Sequence, residues 1–361
     1  MTPERAATLS LFGVPGVGPK TYALLVKAFG SPVAVFEAEK HELTAVEGVG
    51  PVTAESIVRF ERERFVGEQE RRMKQAGARM LVRSDEEYPA LLNVFPSAPQ
   101  VLFVRGDTSC LNKTTLAFVG TRKPTSYGLK MTRKLAAGAV NAGACVVSGM
   151  AAGIDSEAHR TAVEEGGTTA AVFGCGVDVI YPSFNRGLAK EIEKSGCLVS
   201  HFPMGTSGVP GNFPARNSVI VGLSLVTIVV EAPEKSGALI TAELTLRAGR
   251  KLFTVPGPAD SSKSEGTNNL LGRGAQPVSS IETVMSLLGK AVPAETVKRP
   301  ERPLPAGLAG EILGVIEREP LHIEKICLQV KRGTPEVLSE LTLLEIDGYV
   351  SQLPGKMFER R

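Results

Sequence analysis

The sequence predicts an α/β fold, a Rossmann-like doubly wound parallel sheet, with a helical domain before it and a small winged-helix domain after it. Three observations lead to this prediction. Short apolar runs alternate with helical segments in the middle of the chain, a Gly-x-Gly turn is repeated near its start, and a Pro-rich stretch precedes its tail. With 361 residues, 43% of them hydrophobic, the chain has room for two or three domains and one sizeable core.

The first region, 1–75, is predicted to be a helical helix-hairpin-helix domain of the SAM-like type. Its turn VPGVGP, Val14–Pro19, recurs as VEGVGP, Val46–Pro51, and helical apolar spacing follows each copy. Glycines shape such a tight turn, and backbone N–H groups at the helix N-terminus behind it can face a phosphate. A compact turn between helices, with no ligand, remains the alternative interpretation.

The middle region, 76–289, is predicted to be the Rossmann-like domain, and it begins with a connecting segment of helix, turn and strand. Its candidate strands are continuous apolar runs, which are typical of strands buried on both faces of a parallel sheet. These runs are TTLAFVG, ACVVSGM, TTAAVFGCG, CLVSHFP, LVTIVVEA and KLFTVPG. Since helical segments separate them, we expect a doubly wound sheet.

The last region consists of a predicted Pro-rich linker, 290–307, and a predicted winged-helix domain, 308–361. The candidate recognition helix, TPEVLSELTLLEIDGYV, carries four acidic residues and no basic one. Such a helix should repel phosphate rather than enter a DNA groove. We therefore expect it to contact protein or to pack within the domain.

Composition and charge limit the classes of protein to which the chain can belong. The five cysteines lie far apart without Cys-x-x-Cys or Cys/His spacing, so we expect neither a disulfide framework nor a metal site. The start of the sequence lacks the features of a signal peptide, and no apolar stretch is long enough to span a membrane. We expect a soluble, reduced, cytoplasmic protein without a membrane partner. The net charge of +3 permits nucleic-acid binding without arguing for it.

The candidate site lies at the carboxyl ends of the predicted strands, where open parallel sheets bind ligands. Small residues follow nearly every strand, including Gly120-Thr121, Ser148-Gly149 and Ser236-Gly237. They allow backbone to approach an anion, and the helix N-termini that follow them favour negative charge. Neither a complete G-x-G-x-x-G nor a P-loop is present, so no nucleotide cofactor is predicted.

Basic residues at these strand ends indicate a nucleic-acid strand. Arg122 follows the first predicted strand, Arg216 lies in FPARN at a helix start, and Lys235 precedes Ser236-Gly237. One nucleotide needs one or two such cations, whereas a strand of nucleic acid uses a row of them. Phe213 offers a face on which a base can stack. Taken singly, each cation would be interpreted as a solvated surface charge and Phe213 as a core residue, but their joint placement favours a binding surface.

Candidate catalytic residues are sparse, so the chain is not predicted to be an enzyme. Asp155 and His159 are four residues apart and share one helix face. A general acid/base pair is conceivable there, but the favoured interpretation is that both side chains anchor a helix start. Glu243 is a possible carboxylate base without a nucleophile near it in the sequence.

Seven motifs follow one another in the order VGTRKPTSYG, SGMAAGIDSEAH, GVDVIYPSFN, FPARNSVIVGLS, VVEAPEKSGALITA, GRKLFTVPG and SEGTNNLLGRGA, within a stretch that runs from about Tyr88 to Ala275. Over this half of the chain the sequence resembles the DNA-processing protein A family (DprA, also called Smf). The resemblance implies a single-stranded DNA-binding protein that loads the RecA recombinase in natural transformation, usually as a homodimer. The three-part organisation also fits this family.

The resemblance also implies a set of DNA-binding residues. The family's Gly-Ser/Thr-Arg motif matches Gly120-Thr121-Arg122, its Phe-x-x-Arg-Asn element matches Phe213, Arg216 and Asn217, and its Ser-Gly matches Ser236 and Gly237. With Ser148, Gly149 and Lys235 from the strand ends, these residues form the predicted DNA site. The sequence departs from the family at three places, which are Ser218 (usually Arg), His201 (usually Glu) and Ala238 (usually Ser).

Two other functions remain open from the sequence. The segment from Ser236 to Glu243 is similar to the Gly-rich loop and Glu of the lysine-decarboxylase-like phosphoribohydrolases, which would make the chain an enzyme acting on nucleotide monophosphates. That family's Pro-Gly-Gly-x-Gly-Thr run is absent here. A protein scaffold with no affinity for oligonucleotides is the third interpretation.

Overall fold

The computed structural model describes residues 1–95, 97–289, 305, 307–316, 320–346, 349–353 and 355–360. The chain divides into two compact units, Met1–Ala294 and Glu295–Arg361. Most of the predicted linker, residues 290–304 and 306, lies outside the described residues. The exact domain limits therefore stay predictions.

The first unit begins with six helices, and both repeated turns form helix-hairpin-helix connections, as predicted. The helices are α1 (Pro3–Gly13), α2 (Pro19–Phe29), α3 (Pro32–Glu37), α4 (Lys40–Ala45), α5 (Pro51–Val58) and α6 (Arg62–Ala76). Gly16 and Gly48 adopt φ values of 87° and 86°, a region that favours glycine, and so allow each turn. Gly18 and Gly50 cap α2 and α5, each followed by proline at the first helical position.

A nine-stranded sheet follows, in which all six predicted runs form strands. The strands are β1 (Arg79–Val82), β2 (Val101–Gly106), β3 (Thr115–Val119), β4 (Cys145–Ser148), β5 (Thr169–Phe173), β6 (Cys197–Ser200), β7 (Val226–Val229), β8 (Lys251–Thr254) and β9 (Gln276–Pro277). Their order is β1-β2-β6-β5-β4-β3-β7-β8-β9. The strands from β3 to β9 are parallel, whereas β2 joins the sheet antiparallel to β6 and carries β1 at the edge.

Helices cover both faces of this sheet, which makes it doubly wound. They are α7 (Ala90–Asn93), α8 (Ser126–Asn141), α9 (Ile154–Glu164), α10 (Arg186–Ser195), α11 (Asn212–Gly222), α12 (Gly237–Arg247), α13 (Glu265–Leu271) and α14 (Ile281–Leu287). Alternate residues of β3 serve opposite faces: Leu116 and Phe118 pack with α8 and α9, whereas Ala117 and Val119 pack with α11 and α12. Within the described residues, no helix is long and apolar enough to cross a membrane.

The chain changes direction across the sheet beside β3. From β3 it runs to β4, β5 and β6 on one side, and then returns to β7, which pairs with β3 on the other side. The carboxyl ends of β3 and β7 therefore flank the topological switch point, where ligands bind in sheets of this kind.

The second unit is a winged-helix domain, as predicted. Its elements are α15 (Leu308–Val315), β10 (Leu321–His322), α16 (Ile323–Val330), α17 (Thr334–Ile346), β11 (Val350–Leu353) and β12 (Met357–Arg360). The strands form an antiparallel sheet in the order β10-β12-β11, and Ile312, Ile326 and Phe358 are buried in the core. The candidate recognition helix α17 exposes Leu338 and Leu343 among its acidic residues.

Candidate nucleic-acid interface

Three neighbouring strands of the sheet end in glycines that leave room for other groups. A Cβ atom on Gly120, after β3, would lie 2.5 Å from a side-chain carbon of Ile154. One on Gly149, after β4, would collide with the guanidinium of Arg216. One on Gly174, after β5, would lie 2.8 Å from the ring of Phe213. Real Cβ atoms do not approach so closely, so the bare backbone at these strand ends allows the site to assemble.

The loop after β3 is held to the end of β7 by a buried carboxylate, Glu231. The Thr125 backbone N–H and hydroxyl donate to this carboxylate at 3.0 and 2.8 Å, and the Thr121 N–H donates to the Glu231 carbonyl at 2.7 Å. Thr125 also caps α8 by accepting from the Gly128 N–H. These bonds fix the loop while the Arg122 side chain remains exposed.

Phe213, in the first turn of α11, is the centre of the site. The guanidinium carbon of Arg122 lies 5.2 Å from the centre of the Phe213 ring, and that of Arg216 lies 5.6 Å from it. The Tyr181 ring packs against Phe213 with centroids 5.8 Å apart. Distances below about 6 Å between a cation and a ring are favourable. Arg122, Arg216 and Phe213 therefore lie together at this edge of the sheet.

Arg216 differs from the solvent-facing cation that the sequence suggested. Its side chain is 4% exposed, and its guanidinium donates to the carbonyls of Gly149 and Val172 and to the Asn217 side chain. Desolvation by burial lowers its pKa. Arg216 therefore ties the ends of β4 and β5 together beneath Phe213 and does not present its charge to a ligand at the surface.

Ser148, Gly149 and Asn217 are buried as well. The Ser148 hydroxyl donates to the Phe118 carbonyl at 2.6 Å, and the Gly149 N–H donates to Asp155 at 3.1 Å. With Arg216, these residues support the site from below, which corrects the expectation of direct contact in the conformation described. Ser218, which stands where the family usually has arginine, bonds within its own helix to the Ala215 carbonyl at 2.6 Å.

Asp155 anchors the start of α9, as the favoured interpretation expects, whereas His159 lies one turn later and joins α9 to β5. Asp155 accepts from the backbone N–H groups of Gly149 and Ala151, and burial raises its pKa. His159 is 0% exposed, and its Nδ1 pairs with the Thr169 hydroxyl at 2.7 Å. Burial, assisted by the charge of Arg216, lowers the pKa of His159 to about 3 and keeps the ring neutral.

The loop after β7 presents the second exposed cation, Lys235, immediately before α12. The Ser236 hydroxyl accepts from the Ala238 N–H and caps this helix, and nothing lies within 4 Å of a Cβ position on Gly237. The N-terminus of α12 is therefore open to an approaching anion. Among the described residues, no acidic side chain forms an ion pair with Arg122 or Lys235.

Glu243 lies farther along α12 and is already paired. Its carboxylate accepts from Arg247 at 2.9 Å and from Arg273, and these hydrogen bonds lower its pKa. The lowered pKa makes this carboxylate a weaker base, and since it stays ionised it is also poorly suited to donate a proton. In the part of the chain that is described, no group of three His, Cys, Asp or Glu residues is arranged to hold a metal ion.

Two features of this site escaped the sequence analysis. Glu231 ends an apolar strand, and a charged residue in that position is the signal that could have indicated a buried, fully bonded carboxylate. Tyr181 lies in the motif GVDVIYPSFN, but nothing in the sequence places its ring against Phe213.

Family models match all three parts of the chain. The model of the DNA recombination-mediator protein A family matches residues 79–289. A model of the SAM-like helix-hairpin-helix tandem matches residues 8–63, and a model of the DprA winged-helix domain matches 295–356.

Known proteins from several bacteria are similar to the chain. Protein Smf from Synechocystis is 34% identical over 99% of both chains, and the DNA processing protein DprA from Streptococcus pneumoniae is 38% identical over 56% of this chain and 71% of its own. The X-ray structure of S. pneumoniae DprA, 28% identical, has a TM-score of 0.68 over 79% of this chain and 98% of that one. The solved structure of DprA from Helicobacter pylori is 32% identical in sequence and has a TM-score of 0.54. It covers 59% of this chain and 96% of that one. The chain belongs to the DNA recombination-mediator protein A family, the DprA/Smf family.

Proposed function

We propose that the chain binds single-stranded DNA along the carboxyl edge of its sheet, without catalysing a reaction on it. The observation that carries this proposal is the exposed Arg122 guanidinium beside the Phe213 ring at the switch point. A cation next to an aromatic face suits a phosphate followed by an unpaired base. The solved structure of H. pylori DprA is described as showing how that protein binds single-stranded DNA, which supports single-stranded DNA as the ligand here.

The proposed contacts divide into two groups. Arg122, Lys235 and the open N-terminus of α12 at Ser236-Gly237 bind the phosphates, and Phe213 stacks with a base. The Gly120-Thr121 backbone positions Arg122 at the switch point. The buried residues Ser148, Gly149, Arg216 and Asn217 hold this surface in shape.

We further propose that the chain is a homodimer that loads RecA onto the bound strand. Membership of the recombination-mediator family supports this role, and the paired Glu243 and neutral His159 favour a non-catalytic one. Assembly of RecA on single-stranded DNA, followed with and without the chain, tests the mediator role. Mass photometry of the free chain tests the dimer.

Replacing Arg122 by alanine tests the DNA site. We expect Arg122→Ala to weaken binding to labelled oligo-dT about tenfold at low salt, because one charge-assisted contact is lost. The slope of log affinity against log salt should become flatter by about 0.7, the value for one neutralised phosphate on a single strand. Fluorescence anisotropy over a salt series measures both quantities, and a matched duplex should bind more weakly than oligo-dT.

The control is Arg64→Ala, which removes an exposed arginine from α6, outside the sheet edge. It should leave both the affinity and the slope unchanged. If Arg122→Ala binds like the wild type at every salt concentration, the assigned site is wrong. If the wild type binds no oligonucleotide, the proposed function is wrong.

A further inference from the structure

Two exposed aromatic rings lie on the segment beside Phe213 and have no role in the contacts proposed so far. Tyr181 is 45% exposed and Phe184 is 70% exposed. Both belong to the segment after β5, and Phe184 lies in a single turn of 3-10 helix, Ser183–Asn185. The Asn185 amide donates to the Met150 carbonyl, just after β4, at 2.9 Å. This hydrogen bond places the segment at the carboxyl edge of the sheet.

The Tyr181 ring is held in position from two sides. A Cβ atom on Gly208 would lie 2.9 Å from the Cγ of Tyr181, so the absent side chain makes room for the ring. The Phe213 ring lies on another side, with centroids 5.8 Å apart and planes tilted by 35°. The exposed part of Tyr181 thus continues the aromatic surface that begins at Phe213, and Phe184 follows three residues later.

The chemistry of the surroundings favours a nucleobase on this surface. Aromatic rings that accept bases of any sequence occur beside cations that bind the backbone. Arg122 lies beside Phe213 at one end, and the exposed Arg186 follows Phe184 at the other. Phe184, with more than two thirds of its surface exposed, contributes little to the core and leaves its ring accessible to a ligand.

We propose that Tyr181 and Phe184 form a second base-stacking position, which receives nucleotides of the same DNA strand next to the one stacked on Phe213. This inference rests on the proposed function. It places the DNA strand along the sheet edge from the ends of β3 and β4 to the start of α10. Stacking on a ring does not depend on hydrogen bonds to base edges, so this position accepts any base.

A single tryptophan provides a direct test, because the chain contains none. Phe184→Trp keeps an aromatic ring at the position, and we expect its fluorescence to be quenched when unlabelled oligo-dT binds. The control is Val94→Trp, at the opposite edge of the sheet. Val94 is exposed next to Phe95, whose ring lies 5.2 Å from Arg250 just before β8. Its fluorescence should not change.

Affinity provides the second measurement. We expect Phe184→Ala to weaken oligo-dT binding roughly tenfold, as for the loss of one stacked base, without changing the salt slope. Phe184→Leu should behave like the alanine variant, whereas Phe184→Tyr should restore binding. Arg122→Ala, in contrast, changes the slope.

Three results would overturn the inference. The first is wild-type affinity of Phe184→Ala while the wild type itself binds oligo-dT, a result that leaves the proposed function intact. The second is an equal effect of leucine and tyrosine at position 184. The third is a change in oligomeric state caused by Phe184→Ala, which would assign this surface to a second copy of the chain. Failure of the wild type to bind oligo-dT would refute the proposed function instead.

Discussion

Arg216 stands at the contact between two strand ends and the aromatic surface above them. Its guanidinium donates to two backbone carbonyls, and Asp155 is the acidic group whose charge acts on it most strongly. A buried charge with such partners is difficult to remove, because each partner is left without a hydrogen bond or a counter-charge. Arg122 has no such partners among the described residues, so the two arginines should respond differently to the same substitution.

Arg216→Ala should lower the free energy of unfolding by about 3 kcal/mol or more, as expected when one member of a buried charge pair is removed. Arg122→Ala should change it by less than about 0.5 kcal/mol, because an exposed side chain is lost. Urea unfolding followed by circular dichroism measures both. Equal stability of the two variants would contradict the supporting role assigned to Arg216.

At the scale of single residues, the sequence predicts where the cations lie but not which way they point. Arg122 and Lys235 lie in the loops that follow β3 and β7, so their exposure at the sheet edge could be anticipated. Arg216 lies within α11, and its side chain turns inward to approach Gly149 and Val172. That approach joins residues distant in the chain, which one sequence cannot reveal.

The element that carries His159 is α9, whose start is tied to the end of β4 through Asp155. The histidine ring is enclosed among buried residues and is neutral in the folded chain. Its folded pKa of about 3 lies below the value of about 6.5 in an unfolded chain. Between these values the unfolded state binds more protons, so the stability supplied by this group is complete above pH 6.5 and falls as the pH decreases.

Lowering the pH from 7 to 5 should therefore remove about 2 kcal/mol of stability through His159. His159→Gln should lose less stability over the same interval, whatever its stability at pH 7. Thermal or urea unfolding at several pH values gives the two slopes. Parallel slopes for the wild type and the variant would show that His159 is not responsible.

At the scale of elements, the six buried parallel strands could be predicted because burial on both faces produces continuous apolar runs. The sequence also indicated a strand within the connecting segment, the later β2. Its antiparallel pairing with β6 could not be predicted, because the two strands are far apart in the chain. The sequence does not indicate the edge strands β1 and β9, because residues 80–82 form a short apolar run between two arginines and β9 has only two residues.

Within the first unit, the helix-hairpin-helix region is joined to the sheet by specific polar contacts. Gln69 of α6 is buried, accepts from the Met204 N–H at 2.8 Å and donates to the Met204 carbonyl at 3.5 Å. Arg72, one turn later, pairs with Asp178 at 3.3 Å. The helical region is thus attached to the loops after β5 and β6, beside the candidate site.

Gln69→Ala should reduce the free energy of unfolding by about 1–3 kcal/mol, because the Met204 backbone groups lose their partner inside the molecule. Hydrogen exchange should increase in α1, α6 and the loop around Met204. Gln75→Ala, an exposed change on the same helix, serves as the control and should have no effect. If exchange increases only in α6, the contact does not join the two regions.

The three glycines at the ends of β3, β4 and β5 also restrict how this protein can evolve. Each one faces a group that arrives from elsewhere in the chain, so the smallest possible side chain already displaces Ile154, Arg216 or Phe213. Descendants cannot adjust this edge through a series of slightly larger residues. Selection can change ligand binding through substitutions of the exposed rings and cations. The glycines beneath them leave no space for side chains of intermediate size.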